Sequence, residues 1–498
     1  MSECVLAVDL GTGGPKVALV EASGHTLAWR SRPVATHFVD SHEGRGAEQD
    51  PEEMWRAIVD AAREVLAAVQ PGPPIVAVAV TSQYMSTIPV ASDGRPTGPC
   101  ILWMDTRGAA HNLTLLTDDS FMLFLERHGM IPLPSGNDNV AHAYVLQTYH
   151  PEAYAAAAAL VEPMDYVVAR LTGRVCATQS TVFGQLVCDN RRWGATEYDA
   201  DLVAATGLDP AKLAPLVPLH GVVGEVLAGP AAELGVPAGT PVVPGTIDSI
   251  TSAVGAGALD PTAASVIVGT TSVMVSHIPD HRGDIGAGIL AVPSPVDGMY
   301  YVMAENGVGG RSLEFAQRLF GVTTPQEAVG LAAQAPAGSD GVLFLPWLLG
   351  SIAPSPNDDV RAGYVGLSLH HDRHHLLRAT LEGVALNLAW LLPHVETFVG
   401  NGFPFVRFGG GGATSPLWGQ ILADALDTPV HRLAEPRATN ARGAAFLAFA
   451  DLGHLRLADV PSLLRVEQVH DPDPATRPAM ERALARLTAL HPALALNA

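Results

Sequence analysis

Lysine is nearly absent: of 29 basic residues only Lys16 and Lys212 are lysine. A chain that uses arginine almost everywhere yet keeps a lysine beside a glycine loop points to a specific ammonium role at Lys16, against the alternative of a solvated lysine on a tight turn. Positive charge is short overall, with 29 Lys plus Arg against 50 Asp plus Glu and a net charge of −21. That argues against a general nucleic-acid or anionic-membrane surface, since both rest on a positive field. Any phosphate has to be held locally. The four cysteines, Cys4, Cys100, Cys176 and Cys188, are too widely spaced for CxxC zinc or redox pairs and too few to staple 498 residues. A reducing cytoplasm is the expected compartment. The start, MSECVLAVDLG, has no basic flank and no long apolar run, so it reads as a first strand rather than a secretory signal. The uncharged stretch 261–279 is broken by Gly269 and thick with Ser and Thr, which makes no transmembrane helix.

Apolar residues are plentiful. At 48% hydrophobic and 16% charged the chain can bury a large core, which excludes intrinsic disorder, and its length predicts two domains. Strand-like and helix-like patterns alternate, the mark of mixed α/β architecture. Residues 4–8 and 16–20 read as strands of a hairpin around GTGGP, with another strand at 25–30. Residues 52–69 place Trp55, Ile58, Ala62, Val65 and Leu66 on one helical face after the cap signal Asp50-Pro51. Residues 75–81, IVAVAVT, read as a strand buried on both faces. VDLGTGGPKVALV at 8–20 recurs in outline as VIVGTTSVMVS at 266–276, with Gly11 matching Gly269 and Thr12 matching Thr270. Duplication and coincident glycine turns both fit that echo. Under duplication, two related domains at 1–257 and 258–455 each offer a glycine hairpin to a shared cleft. Residues 456–498, with four prolines and then an Ala/Leu/Arg helix, read as a C-terminal appendage.

Three glycine-rich turns carry the chemistry. In DLGTGGPK, Asp9 to Lys16, the glycines let backbone N–H groups approach an anion, although the spacing is neither that of the P-loop nor GxGxxG. Asp9 at the strand end is a candidate Mg²⁺ holder, directly or through water, or else the cap of a turn. VVPGTIDSITSAVGAGAL, 242–259, runs from a strand to Asp248 at the start of a helix. Asp248 is there either an N-cap or a general base at the carboxyl edge of a sheet. FGGGGATSPLWG, 408–419, is a glycine-rich strand-to-helix turn on which a flat ligand or phosphate can lie.

Together DLGTGGPK, WMDTRG (103–108), PGTID (244–248), AGYVGLSLHHDRHHLLRATLEG (362–383) and GGGATSPLWGQILADALDTPV (410–430) resemble the FGGY carbohydrate kinases, most strongly the xylulokinase branch. The resemblance spans roughly residues 4–455. It implies the actin/hexokinase/Hsp70-like ATPase fold, duplicated ribonuclease-H-like domains with the active site in the cleft between them. It also implies ATP-dependent phosphorylation of a sugar hydroxyl, with a ketopentose such as D-xylulose first among acceptors, then another ketose, a tetrose or a polyol. Asp9 would organise Mg²⁺ and phosphate, and Gly11, Thr12, Gly13 and Gly14 with Lys16 would wrap the transferring group. Gly269, Thr270, Thr271 and Ser272 would contact ATP from the second domain, and Gly410, Gly411, Gly412, Thr414 and Ser415 would form the adenosine-side loop. Asp248 would take the proton of the attacking hydroxyl. Gln83, Tyr84, Met85, Trp103, Asp105 and Arg107 fall in sugar-side segments, the last three alternatively a packed Trp and an ion pair. Family members are often dimers.

The sequence departs from the family at the acceptor. Ser82 to Ser86, SQYMS, stands where xylulokinases usually read GQMHG, and Leu349-Gly350-Ser351-Ile352 loses an acid and a base. These changes leave a catalytically silent sugar-binding regulator as the alternative from another class. An actin-type filament protein is disfavoured by WMDTRG and PGTID.

Overall fold

The computed structural model describes residues 3–495. In the first half of the chain β1 (Cys4–Gly11), β2 (Gly14–Glu21) and β3 (Thr26–Ser31) form an antiparallel ribbon, followed by helix α1 (Pro51–Ala68) and strand β4 (Ile75–Ser82). Strand β4 pairs in parallel with β1. The sheet is completed by β5 (Gly224–Glu225), β6 (Pro241–Val242) and β7 (Thr246–Ile247), in the order β5-β6-β4-β1-β2-β3 with β7 also on β4. Helix α2 (Asp248–Gly255) follows directly.

The second half repeats the scheme. Strands β8 (Ala264–Val268) and β9 (Thr271–Ile278) make a hairpin, with β10 (Gly283–Asp284), β11 (Ile289–Pro293) and β12 (Tyr300–Val308) on one side. Helices α3 (Gly310–Phe320) and α4 (Arg373–Val399) come next, then β13 (Val406–Gly409), α5 (Pro416–Leu426), β14 (Val430–Leu433) and α6 (Thr439–Asp451). Within this sheet β12-β9-β8 is antiparallel, and β13 and β14 continue it in parallel. That is the pairing of β3-β2-β1-β4-β6, so the echo between the two glycine hairpins is a repeat of topology.

Local chemistry explains the elements. Asp50 caps α1 by accepting from the Glu52 N–H, Pro51 opens it, and Met54, Trp55, Ile58, Ala62 and Val65 face the core. Alternate residues of β1 serve the two faces of its sheet. Leu6, Val8 and Leu10 pack into the cluster that contains Trp55 and Ile58, while Val5 and Ala7 meet Ala441, Ala444, Ala445 and Ala448 of α6. The alanines let α6 lie close on the first sheet, although its strand and loop neighbours belong to the second.

Helices α2 and α6, the corresponding helices of the two halves, cross where both have glycine. A Cβ on Gly443 would lie 1.8 Å from the Thr251 carbonyl oxygen, and one on Gly255 2.0 Å from that of Thr439. The tail differs from the expected appendage. Strand β15 (Val466–His470) extends the second sheet beyond β14, and helix α7 (Arg477–Ala495) buries Met480 and Leu487 in the second core. Its apolar residues, spread among prolines, have no partner visible in the sequence but find one in α4 and α5. Among the described residues no helix is long and apolar enough to cross a membrane.

Candidate active site

The carboxyl ends of β1, β4 and β7 set the first carboxylates. In the sheet register Asp9 lies beside Thr81 and Thr81 beside Thr246, so Asp248, two residues further on, emerges next to Asp9 at the edge where ligand crevices form. Across the hairpin Asp9 is the register partner of Lys16, whose ammonium donates to Asp9 Oδ2 at 3.2 Å. Asp9 is sealed, with its other oxygen, Oδ1, buried and without a hydrogen-bond partner among the described residues, while the Lys16 side chain is 44% exposed. The Asp9 charge holds the Lys16 ammonium above its ordinary pKa.

Asp248 does not cap its helix. The cap position is Ile247, no side chain caps α2, and Asp248 Oδ1 accepts from the Ser249 hydroxyl at 3.3 Å. A helix N-terminus favours a carboxylate, yet burial and the nearby Asp9 charge push the Asp248 carboxyl up to about 7, against the pull of Lys16. That value suits a group that must take a proton near neutrality.

The first glycine turn is tied to the sugar-side motifs. Gly14, at φ +118°, takes a backbone that side chains rarely adopt, and a Cβ there would meet the Arg32 carbonyl oxygen at 2.1 Å; Gly13 has open space. Thr12 donates its hydroxyl to Gln83 Oε1 (2.6 Å) and accepts from Trp103 Nε1 (3.0 Å), while Gln49 donates to the Thr12 carbonyl (2.7 Å). Gln83 in turn donates to Gln49 Oε1 at 3.2 Å, closing a ring. Gln49 carried no motif. Tyr84 and Met85 follow Gln83 in the chain and lie toward Phe183 and Gly184: Met85 has φ +58°, and the Tyr84 hydroxyl is buried without a partner among the described residues. Left-handed backbone at a non-glycine residue marks a loop held by its surroundings. Here Glu162 accepts from the Ser86 N–H (3.0 Å) and Asn139 donates to the Ser86 carbonyl (3.1 Å).

Asp105 and Arg107 form the ion pair that their sequence offered as an alternative. Both are buried, Arg107 Nη2 donating to Asp105 Oδ2 (2.6 Å) and Glu48 Oε1 (2.7 Å), while Asp105 Oδ2 also accepts from the Ala47 N–H (2.9 Å). The guanidinium lies 4.8 Å over the Tyr149 ring. This pair anchors the loop that presents Trp103, the ion-pair alternative raised by its sequence.

In the second domain Gly269 and Thr270 are exposed at the β8-β9 turn, and the N–H groups of Gly309 and Gly310, at the start of α3, donate to the Thr270 and Gly269 carbonyls at 3.1 and 2.8 Å. Thr271 is half-buried, and Ser272 is turned inward with its hydroxyl toward the Gly307 carbonyl at 3.4 Å. The glycine run lies directly against the end of β8. A Cβ on Gly410 would sit 2.6 Å from the Val268 carbonyl oxygen, and one on Gly412 2.9 Å from Val268 Cβ. The second and third glycine turns therefore form one surface, with Gly411 and Thr414 exposed on it. Thr414 donates its hydroxyl back to the Gly411 carbonyl (2.7 Å), and Ser415 caps α5 by accepting from the Trp418 N–H (3.1 Å). Ser272 and Ser415 thus spend their hydroxyls on the fold rather than on the exposed surface.

Two further groups reach the cleft without a motif. Exposed Arg437 opposes protonation of Lys16, and half-buried Glu305 feels the charge of Asp248. A single acid inside a strand and a single arginine in a turn leave no signal of their own in a sequence.

Models of the two domains of the FGGY family of carbohydrate kinases match residues 4–255, the N-terminal domain, and 264–452, the C-terminal domain. The chain belongs to the FGGY family of carbohydrate kinases. It is similar to the xylulose kinase of Staphylococcus epidermidis, 26% identical over 95% of this chain and 93% of that one, and to the xylulose kinase of Bacillus subtilis, 28% identical over 89% and 87%. The crystal structure of gluconate kinase from Lactobacillus acidophilus superposes with a TM-score of 0.85, 21% identical and covering 99% of each chain. As an FGGY kinase the chain has the two-domain ATPase-like fold expected from its sequence, and it is a sugar kinase.

Proposed function

We propose that the chain transfers the γ-phosphoryl group of ATP to a hydroxyl of a ketopentose such as D-xylulose, with Asp248 as the general base. The observation that carries this reading is the placement of Asp248 at the head of α2, uncapped, beside the Asp9–Lys16 pair and with its carboxyl raised to about 7. At neutral pH such a group is substantially ionised and still basic enough to accept a proton as the sugar oxygen attacks. The xylulose kinases among its relatives support the choice of sugar.

Phosphoryl transfer is mostly a matter of placement and charge neutralisation. The N–H groups of the Gly11–Gly14 turn approach the transferring group from the first domain. The Gly269–Thr271 turn and the Gly410–Gly412 run, joined at Val268, hold the nucleotide from the second. Lys16 supplies a fixed positive charge between them. The residues fit Mg²⁺ in one way: among the described residues no group of three or more His, Cys, Asp or Glu could hold a metal, so Asp9, with one buried unpartnered oxygen, would share the ion with phosphate oxygens and water. When bound, Mg²⁺ supplies charge neutralisation at the phosphates.

The test is ADP release across a panel of ketoses, aldoses, polyols and sugar acids. A ketopentose with the highest kcat/KM is the expected result. ADP release that no sugar stimulates would overturn the proposal in favour of a silent regulator.

A further inference from the structure

The cleft has a wall from the second domain that no motif announced. Along β12 the side chains alternate: Tyr300, Val302 and Ala304 pack in the second core, while Tyr301 and Met303 belong to the cluster that continues into the first domain. The alternation puts Glu305 on the face turned to the first domain. Glu305 is the register partner of Val273, two residues past Thr271 in the second glycine hairpin. It therefore stands beside the phosphate turn. Its carboxylate is half-buried and makes no hydrogen bond or ion pair with any described residue.

Two neighbours show what this carboxylate faces. The Asp248 charge adds to burial in pushing Glu305 up to about 7, and β12 packs against α2, the helix that Asp248 opens. Tyr301, 1% exposed, sits near both acids with its hydroxyl toward the Ser249 side chain. A half-buried carboxylate without a partner among the described residues is costly to leave unsatisfied. A ligand that brings hydroxyl groups would satisfy it.

We infer that Glu305, assisted by Tyr301, is a specificity-determining contact for the acceptor, accepting hydrogen bonds from the hydroxyls of a neutral polyhydroxy substrate and turning away sugar acids. The inference rests on the sugar-kinase reading above and adds the acceptor's charge class. Asp9, Asp248 and Glu305 outnumber the cations Lys16 and Arg437 in this part of the cleft. A carboxylate on the acceptor would meet like charges where little water screens them. Hydroxyl donors to a carboxylate form charge-assisted bonds instead. Because Glu305 belongs to one domain and Asp248 to the other, the acceptor that fits both also bridges them.

The experiment compares the parent, Glu305→Gln and Glu305→Ala, with D-xylulose and gluconate as probes, reading Kd by calorimetry and kcat and KM by ADP release. The expected result is tight binding of xylulose and not gluconate by the parent, with xylulose binding weakened about tenfold or more in both variants while kcat stays within a few-fold. Parental xylulose affinity in the two variants would overturn the inference, as would gluconate binding by the parent as tightly as xylulose. The Kd comparison decides Glu305 even if turnover fails. A parent that binds xylulose but releases no ADP would break the kinase reading alone.

Discussion

At the scale of single residues, Asp9 does two things: it fixes the Lys16 ammonium with one oxygen and leaves the other without a partner. Asp9→Asn keeps the size of the group and removes its charge. It should fold normally and lose turnover by orders of magnitude, measured by steady-state kinetics beside a melting curve; parental kinetics would remove Asp9 from the mechanism. Met85 tests the acceptor wall. Its left-handed backbone is one that histidine adopts more readily than most residues, so Met85→His should fold and reorder the ranking of acceptors on a sugar panel. An unchanged ranking would place Met85 outside the pocket. The sequence set Asp9, Lys16 and Asp248 in recognisable glycine motifs, Asp9 and Lys16 on the two strands of one hairpin and Asp248 at the head of a helix. It could not show that Asp105 and Arg107 satisfy each other, since an ion pair closed on itself and one open to ligand have the same letters. Glu305 was invisible for a related reason: only the packing of β12 against α2 brings it near Asp248.

Elements set which glycines matter. In the first turn Gly14 is required by backbone angle and by the Arg32 carbonyl, whereas Gly13 faces open space. Gly14→Ala should therefore cost at least ~1–3 kcal/mol of stability, read from denaturant midpoints. Gly13→Ala should melt with the parent and raise the KM for ATP, because its added methyl stands where the N–H groups meet phosphate. Equal stability losses in the two variants would mean that the turn is glycine-rich for folding alone. The hairpins and α1 were legible because their periodicity and caps are local. The cap reading of Asp248 failed because Asp248 is the first helical residue and its side chain does not accept from the N–H groups two or three residues on.

On the scale of the whole molecule, two copies of one topology meet through α2 and α6, crossing at Gly255 and Gly443. Gly443→Ala forces a methyl against the Thr251 carbonyl. It should destabilise the protein and lower kcat even at temperatures where it stays folded, since transfer needs both domains in register. Parental kcat in folded Gly443→Ala would separate the crossing from catalysis. Duplication was legible through the paired Gly-Thr turns. The place of residues 456–498 was not, because β15 and α7 take their meaning from an edge strand and a helix layer built by distant segments.

Asp248→Asn addresses the base itself, with kcat, sugar binding and ATP binding measured between pH 5 and 9. A raised carboxyl binds its proton more tightly in the folded than in the unfolded chain, so the parent loses stability as pH rises from about 4 to about 7, and its kcat/KM climbs as the same group ionises. Asparagine removes both effects. The variant should melt at or above the parent at pH 8, bind both ligands, and turn over ~10²–10⁴-fold more slowly without the limb near pH 7. Turnover at the parental rate, with that limb intact, would place the base elsewhere.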